Sequence, residues 1–203
     1  MKLVVLFLMF LLGWVMVGCK GNSSPVAKLF REHLEKEICL EGFKEVYSEQ
    51  DTLTYREFRQ RYPFLYVSYI DEECGSCVFK IREWYKYSET LPMYDKLAYV
   101  FVFRGEDYRK FLKYRIGKHP SVPFYYLSSE EFTYIINNPE IDRQIIDAGF
   151  LLNENNRIKV IGSPLESQSL RKLLAGGLLD EVSQCVLASV GIGYWYRCRS
   201  LSV

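Results

Sequence analysis

Two cysteines stand two residues apart at Cys74-Gly75-Ser76-Cys77. The preceding run Phe64-Leu65-Tyr66-Val67-Ser68-Tyr69-Ile70 is almost continuously aromatic and β-branched, the pattern of a strand buried on both faces. After the pair, Val78, Ile81 and Trp84-Tyr85 recur at three- and four-residue intervals, which makes a helix with its apolar face toward a sheet. The cysteines therefore fall at a helix start, where they can close a disulfide within one turn and where unpaired backbone N–H groups stabilise a thiolate on the first. This assigns Cys74 as nucleophile. Cys77, further into the helix, is the resolving thiol that attacks the mixed disulfide and releases the partner. Such a cycle runs on two sulfurs and an external electron donor or acceptor, with no metal and no cofactor.

The same spacing also serves zinc sites and structural bridges. A zinc site needs about four ligands, and the chain has two histidines, His33 and His119, and no second CxxC. A copper site built from both thiols and one imidazole requires one of those histidines to fold back onto the pair. An inert bridge is the third alternative, although a loop this small gains little from being closed.

The elements around the pair follow from pattern. A short amphipathic helix covers residues 27–36, with Phe30 and Leu34 on one face. Residues 38–47 read as a strand or extended arm, and 49–61 as charged and irregular. Leu97-Ala98-Tyr99-Val100-Phe101-Val102-Phe103 repeats the buried-strand pattern. Tyr108, Phe111, Leu112 and Arg115 then fall at helical spacing within residues 106–116, before Gly117 and Pro120. Residues 122–127 give a short strand, and Ser129 with Phe132, Ile135 and Ile136 a short helix. Phe150-Leu151-Leu152 and Arg157-Ile158-Lys159-Val160-Ile161 flank Asn153-Glu154-Asn155-Asn156, a hairpin with turn residues that tolerate positive φ. A last helix, capped by Ser167, carries Leu170, Leu173 and Leu174. Strands alternating with helices and ending in an antiparallel hairpin predict an α/β fold, a mixed central sheet with helices on both faces.

The chain opens on Lys2 followed by an apolar run to Gly18, ending Val15-Met16-Val17-Gly18-Cys19. The run is shorter than a comfortable bilayer span and reads as a signal peptide. Its end resembles the lipobox of bacterial lipoprotein signals, which implies acylation of Cys19, with palmitate-type chains contributing about 0.8 kcal/mol per buried methylene. The alternative is an ordinary transmembrane anchor. Either way the remainder lies outside the cytoplasm. The expected organisation is a signal peptide at 1–18, a lipid-anchored tether at 19–26, a folded domain at 27–175 and an extension of uncertain structure at 176–203. Without residues 1–18, one lysine of the 26 Lys+Arg is lost and none of the 25 Asp+Glu, leaving 25 against 25. A neutral chain argues against nucleic acid as a partner. Five further thiols, Cys39, Cys74, Cys77, Cys185 and Cys198, suit an oxidising compartment, with the pairing of Cys39, Cys185 and Cys198 open. Lys20, in place of an aspartate after the lipidated cysteine, weakly favours the outer membrane over the inner.

Taken together, Tyr66 to Asp71 before the CxxC, Trp84 seven residues beyond it, the hairpin from Phe150 to Ile158 and Ile161-Gly162-Ser163-Pro164 resemble the thioredoxin-like redox lipoproteins of Gram-negative envelopes. The resemblance spans residues 40–174. It implies a thioredoxin-like fold and dithiol chemistry at Cys74 and Cys77, facing envelope proteins as partners. It leads to a membrane-tethered thiol-disulfide oxidoreductase that reduces or exchanges disulfides, with a noncatalytic thioredoxin-like binding lipoprotein as the alternative. Two departures stand out. Thioredoxins place a cis-proline before the hairpin strand, whereas Asp147 occupies that position and no proline lies between Pro139 and Pro164. Opposite the pair, Asp147 is a candidate proton acceptor for Cys77, the alternative being a loop carboxylate in water. In addition, Asp71, Glu72 and Glu73 precede the first cysteine; their charge is expected to oppose a Cys74 thiolate and favour a reducing couple, or, as an equal and compatible reading, to interact favourably with the helix N-terminus.

Overall fold

The computed structural model describes residues 24–40, 43–48, 52–90, 95–105, 107–113, 124–129, 137–175, 186–188 and 195–197. Cys19, His119, Cys185, Cys198 and the helix expected around Phe132 lie outside the described residues.

The sheet is built on β3 (Phe64–Asp71) and β4 (Leu97–Arg104), the two apolar runs of the sequence, paired in parallel along their whole length from Phe64↔Leu97 to Asp71↔Arg104. Nearly every residue of both strands is buried, as parallel strands covered by helices on each side require. β5 (Phe124–Ser129) pairs in parallel with β4. On the other side, β6 (Phe150–Leu152) runs antiparallel to β3, and β7 (Ile158–Ile161) antiparallel to β6. With β1 (Glu45–Tyr47) and β2 (Thr52–Thr54) at the far edge, the seven-stranded sheet of the described residues has the order β2-β1-β5-β4-β3-β6-β7. Its β4-β3-β6-β7 portion, with the CxxC at the end of β3 and a hairpin antiparallel to it, makes the fold thioredoxin-like, an α/β mixed sheet flanked by helices.

The two faces bury separate clusters. α1 (Pro25–His33), α2 (Tyr55–Arg61) and α5 (Arg143–Ala148) place Phe30, Phe58, Ile145 and Ile146 against Leu65, Val67, Val100 and Val102. α3 (Gly75–Tyr87), α4 (Tyr108–Phe111) and α6 (Gln168–Ala175) place Ile81, Trp84, Phe111 and Leu170 against Tyr66, Ile70, Tyr99 and Phe101. Alternation along β3 and β4 sends successive side chains to opposite faces, so each strand serves both clusters. No helix among the described residues is long and apolar enough to cross a membrane.

Several boundaries differ from the sequence reading. Residues 49–61 are not irregular where described: β2 (Thr52–Thr54) pairs antiparallel with β1 (Glu45–Tyr47), and α2 follows at once. Thr54 starts α2 with a capping box, its Oγ1 accepting from Glu57 N at 3.2 Å and its own N–H donating to Glu57 Oε2 at 3.1 Å. Among the described residues of the 38–47 arm, Glu45–Tyr47 alone is strand. Cys39 is held instead by Asn138, which accepts from Cys39 N at 2.7 Å and donates to its carbonyl at 3.1 Å. The first helix begins at Pro25, two residues early, because Ser24 Oγ caps Ala27 N at 3.1 Å. In the expected 106–116 helix, α4 accounts for Tyr108–Phe111, and residues 114–120 lie outside the described set.

Candidate active site

Cys74 is the N-cap of α3, with extended backbone. Its position follows from the end of β3: Cys74 N–H donates to the Asp71 carbonyl at 3.1 Å, turning the chain off the sheet and into the helix. Its sulfur accepts from Cys77 N at 3.3 Å and lies 2.9 Å from Ser76 Oγ. The thiol is pulled below its ordinary pKa, first by its hydrogen bond with the Cys77 thiol and then by the one with Ser76. Cys77, one turn in, is pushed up to about 11, chiefly by burial and then by its bond to Cys74. Both are free thiols. The arrangement can therefore support an accessible nucleophilic sulfur at Cys74 beside a thiol that holds its proton more tightly at Cys77.

The expected effect of the acidic approach is corrected by Arg104. Its Nη1 donates to Asp71 Oδ2 at 2.9 Å and to Glu73 Oε2 at 3.3 Å. The Asp71↔Arg104 register at the end of β3 and β4 sets this geometry, and Glu72 N–H adds a bond to the Arg104 carbonyl at 2.9 Å. Asp71 is buried and also accepts from Glu73 N at 3.0 Å. A guanidinium bound to two of the carboxylates offsets their charge, and the hydrogen bonds at Cys74 outweigh what remains. The electrostatic argument for a reducing couple therefore does not hold.

Asp147 lies on the last turn of α5, across a cleft of about 540 Å³ from the thiols. Its carboxylate accepts from Arg143 Nε at 3.0 Å, and both side chains are about half exposed. Its carbonyl accepts from Lys80 Nζ at 2.7 Å. Lys80, a residue the sequence reading passed over, lines the same cleft as Cys77, and its charge lowers the Cys77 pKa after the backbone hydrogen bond at Asp71. The i,i+3 relation to Cys77 on a helix was the available signal. No cis peptide occurs among the described residues. The turn into β6 is made by Gly149 at φ +79°, where a Cβ would come within 2.5 Å of Tyr66 Oη, so only glycine fits that corner. Phe79, two-thirds exposed, stands at the rim of the cleft.

Among the described residues no three His, Cys, Asp or Glu side chains converge as metal ligands. His33 is buried in α1, its Nδ1 2.8 Å from the Leu29 carbonyl and its Nε2 accepting from Asp142 N at 3.1 Å, which commits it to a structural role. Cys39 lines a different cleft of about 570 Å³ that shares no residue with the first.

The fold is thioredoxin-like, with a CxxC at the N-terminus of the helix after β3. Among solved structures the chain is similar to the C-terminal domain of an uncharacterized protein from Bacteroides fragilis, at 14% identity over 70% of this chain and 96% of that one, TM-score 0.39. It is similar to a thioredoxin-like protein from Bacteroides caccae, at 11% identity over 75% and 53%, TM-score 0.41. It is also similar to the thioredoxin domain of a thiol-disulfide oxidoreductase from Bacteroides vulgatus, at 8% identity over 72% and 99%, TM-score 0.36. No protein-family model matches the chain, and no curated protein matches it.

Proposed function

We propose that this protein is a membrane-tethered thiol-disulfide oxidoreductase that reduces or exchanges disulfides in proteins of the bacterial cell envelope. The observation that carries the reading is the division of labour between the thiols: Cys74 at the helix N-cap with its pKa lowered, Cys77 half-buried with its own raised to about 11. In the cycle, the Cys74 thiolate attacks one sulfur of a substrate disulfide, that S–S bond breaks, and half of the substrate leaves as a thiolate. Cys77 loses its proton and attacks Cys74 Sγ, releasing the other half. The protein is left as the Cys74–Cys77 disulfide, having delivered two electrons that an external dithiol must return. Asp147 remains a candidate acceptor of the Cys77 proton through solvent in the cleft.

Redox titration of the full-length chain in detergent tests the cycle. A Cys74/Cys77 couple that equilibrates with glutathione and exchanges with a protein disulfide, both lost in Cys74→Ser, is the expected result. A pair that never exchanges under native conditions leaves the noncatalytic binding lipoprotein.

The tether is proposed to be the lipid on Cys19, with the domain outside the cytoplasm and the outer membrane favoured by Lys20. Labelling growing cells with an alkyne fatty acid is expected to mark the protein and to mark Cys19→Ala at background level. Equal labelling of both sinks the lipid anchor.

A further inference from the structure

We infer that Lys80 is the positioning residue for the resolving step, its ammonium fixed in the wall of the cleft by the Asp147 carbonyl, where it stabilises the thiolate forming on Cys77. The inference rests on the oxidoreductase reading above and deepens it.

The geometry comes from two elements. On α3, Lys80 follows Cys77 by three residues and so shares its face. From the opposite cluster of the molecule, the C-terminal turn of α5 presents the Asp147 carbonyl, which accepts from Nζ at 2.7 Å and holds a long, flexible side chain in one place. Both thiols and Lys80 line the same cleft. The need for a cation is plain from the resolving thiol: at a pKa of about 11, only about one molecule in ten thousand carries a Cys77 thiolate at pH 7. A neighbouring cation favours the charged form of a thiol, as burial disfavours it. The backbone hydrogen bond at Asp71 and then the Lys80 charge act on Cys77 in this sense, and the thiols in turn favour the protonated lysine against the burial that lowers it.

The other charged groups around the ammonium are accounted for. From α5 come Asp147 and Arg143, whose side chains pair with each other; from the turn before α6 comes Glu166; from α3 itself, Glu83. Asp147 and Glu166 both support the protonated lysine. Asp147 thus contributes to Lys80 through its backbone carbonyl and its charge, with its half-exposed carboxylate paired to Arg143.

In the step itself, the Cys77 proton passes to water in the open part of the cleft, Cys77 Sγ bonds to Cys74 Sγ, and the Cys74–substrate S–S bond breaks. The substrate sulfur leaves with the electron pair and takes a proton from solvent. Lys80 ends the step as it began it, protonated.

The test reads Cys77 directly, in full-length protein carrying Cys74→Ser, from the pH dependence of alkylation by iodoacetamide quantified on the Cys77 peptide by mass spectrometry. Lys80→Gln is expected to lower the thiolate fraction at pH 8 by about three- to tenfold, and Lys80→Arg to keep it within about twofold by preserving the charge. Lys80→Met, which keeps the packing of the side-chain stem, gives the same reading should the Gln variant not fold. An unchanged profile in the neutral variants overturns the inference, as does an equal loss in Lys80→Arg, which assigns the effect to packing. Failure of the oxidoreductase reading shows elsewhere, as absence of exchange between the protein with both cysteines and a protein disulfide.

Discussion

The two faces of the sheet are packed in different ways. Under the CxxC helix, Trp84 is fully buried among the rings of Tyr66, Tyr99, Phe101 and Phe124, at centroid distances of 5.2, 5.7, 5.7 and 6.2 Å. Trp84 Nε1 finds no hydrogen-bond partner among the described residues, so its contribution is packing alone. Across the sheet, α5 rests on Ile145 and Ile146 in a cluster built largely of Ile, Leu and Val, with Phe58, Tyr62 and Tyr125 as an aromatic group of its own. Rings have few rotamers and favour edge and offset contacts, so the aromatic face gives α3 a stiff seat seven residues from Cys77. The aliphatic face carries a six-residue helix whose last turn gives one carbonyl to Lys80. One face fixes the thiols, and the other brings their surroundings to them.

Removing packing from each side in turn breaks or sharpens this contrast. Trp84→Ala is expected to cost about 3–5 kcal/mol, against about 0.5–1.5 kcal/mol for Ile145→Val, both read as shifts in urea midpoint on the reduced protein. Trp84→Ala should also level the alkylation rates of Cys74 and Cys77 as the seat of α3 loosens, while Ile145→Val leaves them distinct. Equal costs, or thiol reactivities untouched by loss of Trp84, would end the idea that the aromatic face holds the site.

That contrast was only half legible in the sequence. β3, β4 and the β6–β7 hairpin could be read because uninterrupted apolar runs and a four-residue Asn-rich turn have few other uses. The CxxC at a helix start followed from the same runs. The Thr54-x-x-Glu57 box was present and overlooked because the charges around it resemble a solvated loop. What pattern could not supply is long-range pairing. Arg104 reaches Asp71 only because β3 and β4 align in parallel register across 33 residues, and Lys80 meets Asp147 across 67. In both cases a charged residue looked like surface decoration until the sheet brought its partner to it. At the acidic approach to Cys74 the local charge is visible in the sequence and the Arg104 guanidinium that offsets it is not.

The smallest expected effect concerns the two thiols themselves. Burial raises Cys77 from an ordinary value of 9.0 to about 11, so between those pH values the folded protein keeps a proton that the unfolded chain has released. Stability from this group is full below about pH 9 and is lost as pH rises toward about 11. The loss is at most about 1 kcal/mol once solvent screening of this half-exposed thiol is allowed for. Cys74 runs the other way, since a lowered thiol pKa favours the folded state above its unfolded value, and its exposure keeps that contribution minor. Urea midpoints of reduced Cys74→Ser protein at pH 8 and pH 10.5, compared with those of the same protein carrying Cys77→Ala, isolate the Cys77 part. Buried tyrosines such as Tyr66, whose pKa is also raised by desolvation, destabilise both proteins alike in that range and cancel. A slope identical in the two proteins therefore assigns the whole pH dependence to the tyrosines and lysines, and removes burial of Cys77 as the source of the difference between the thiols.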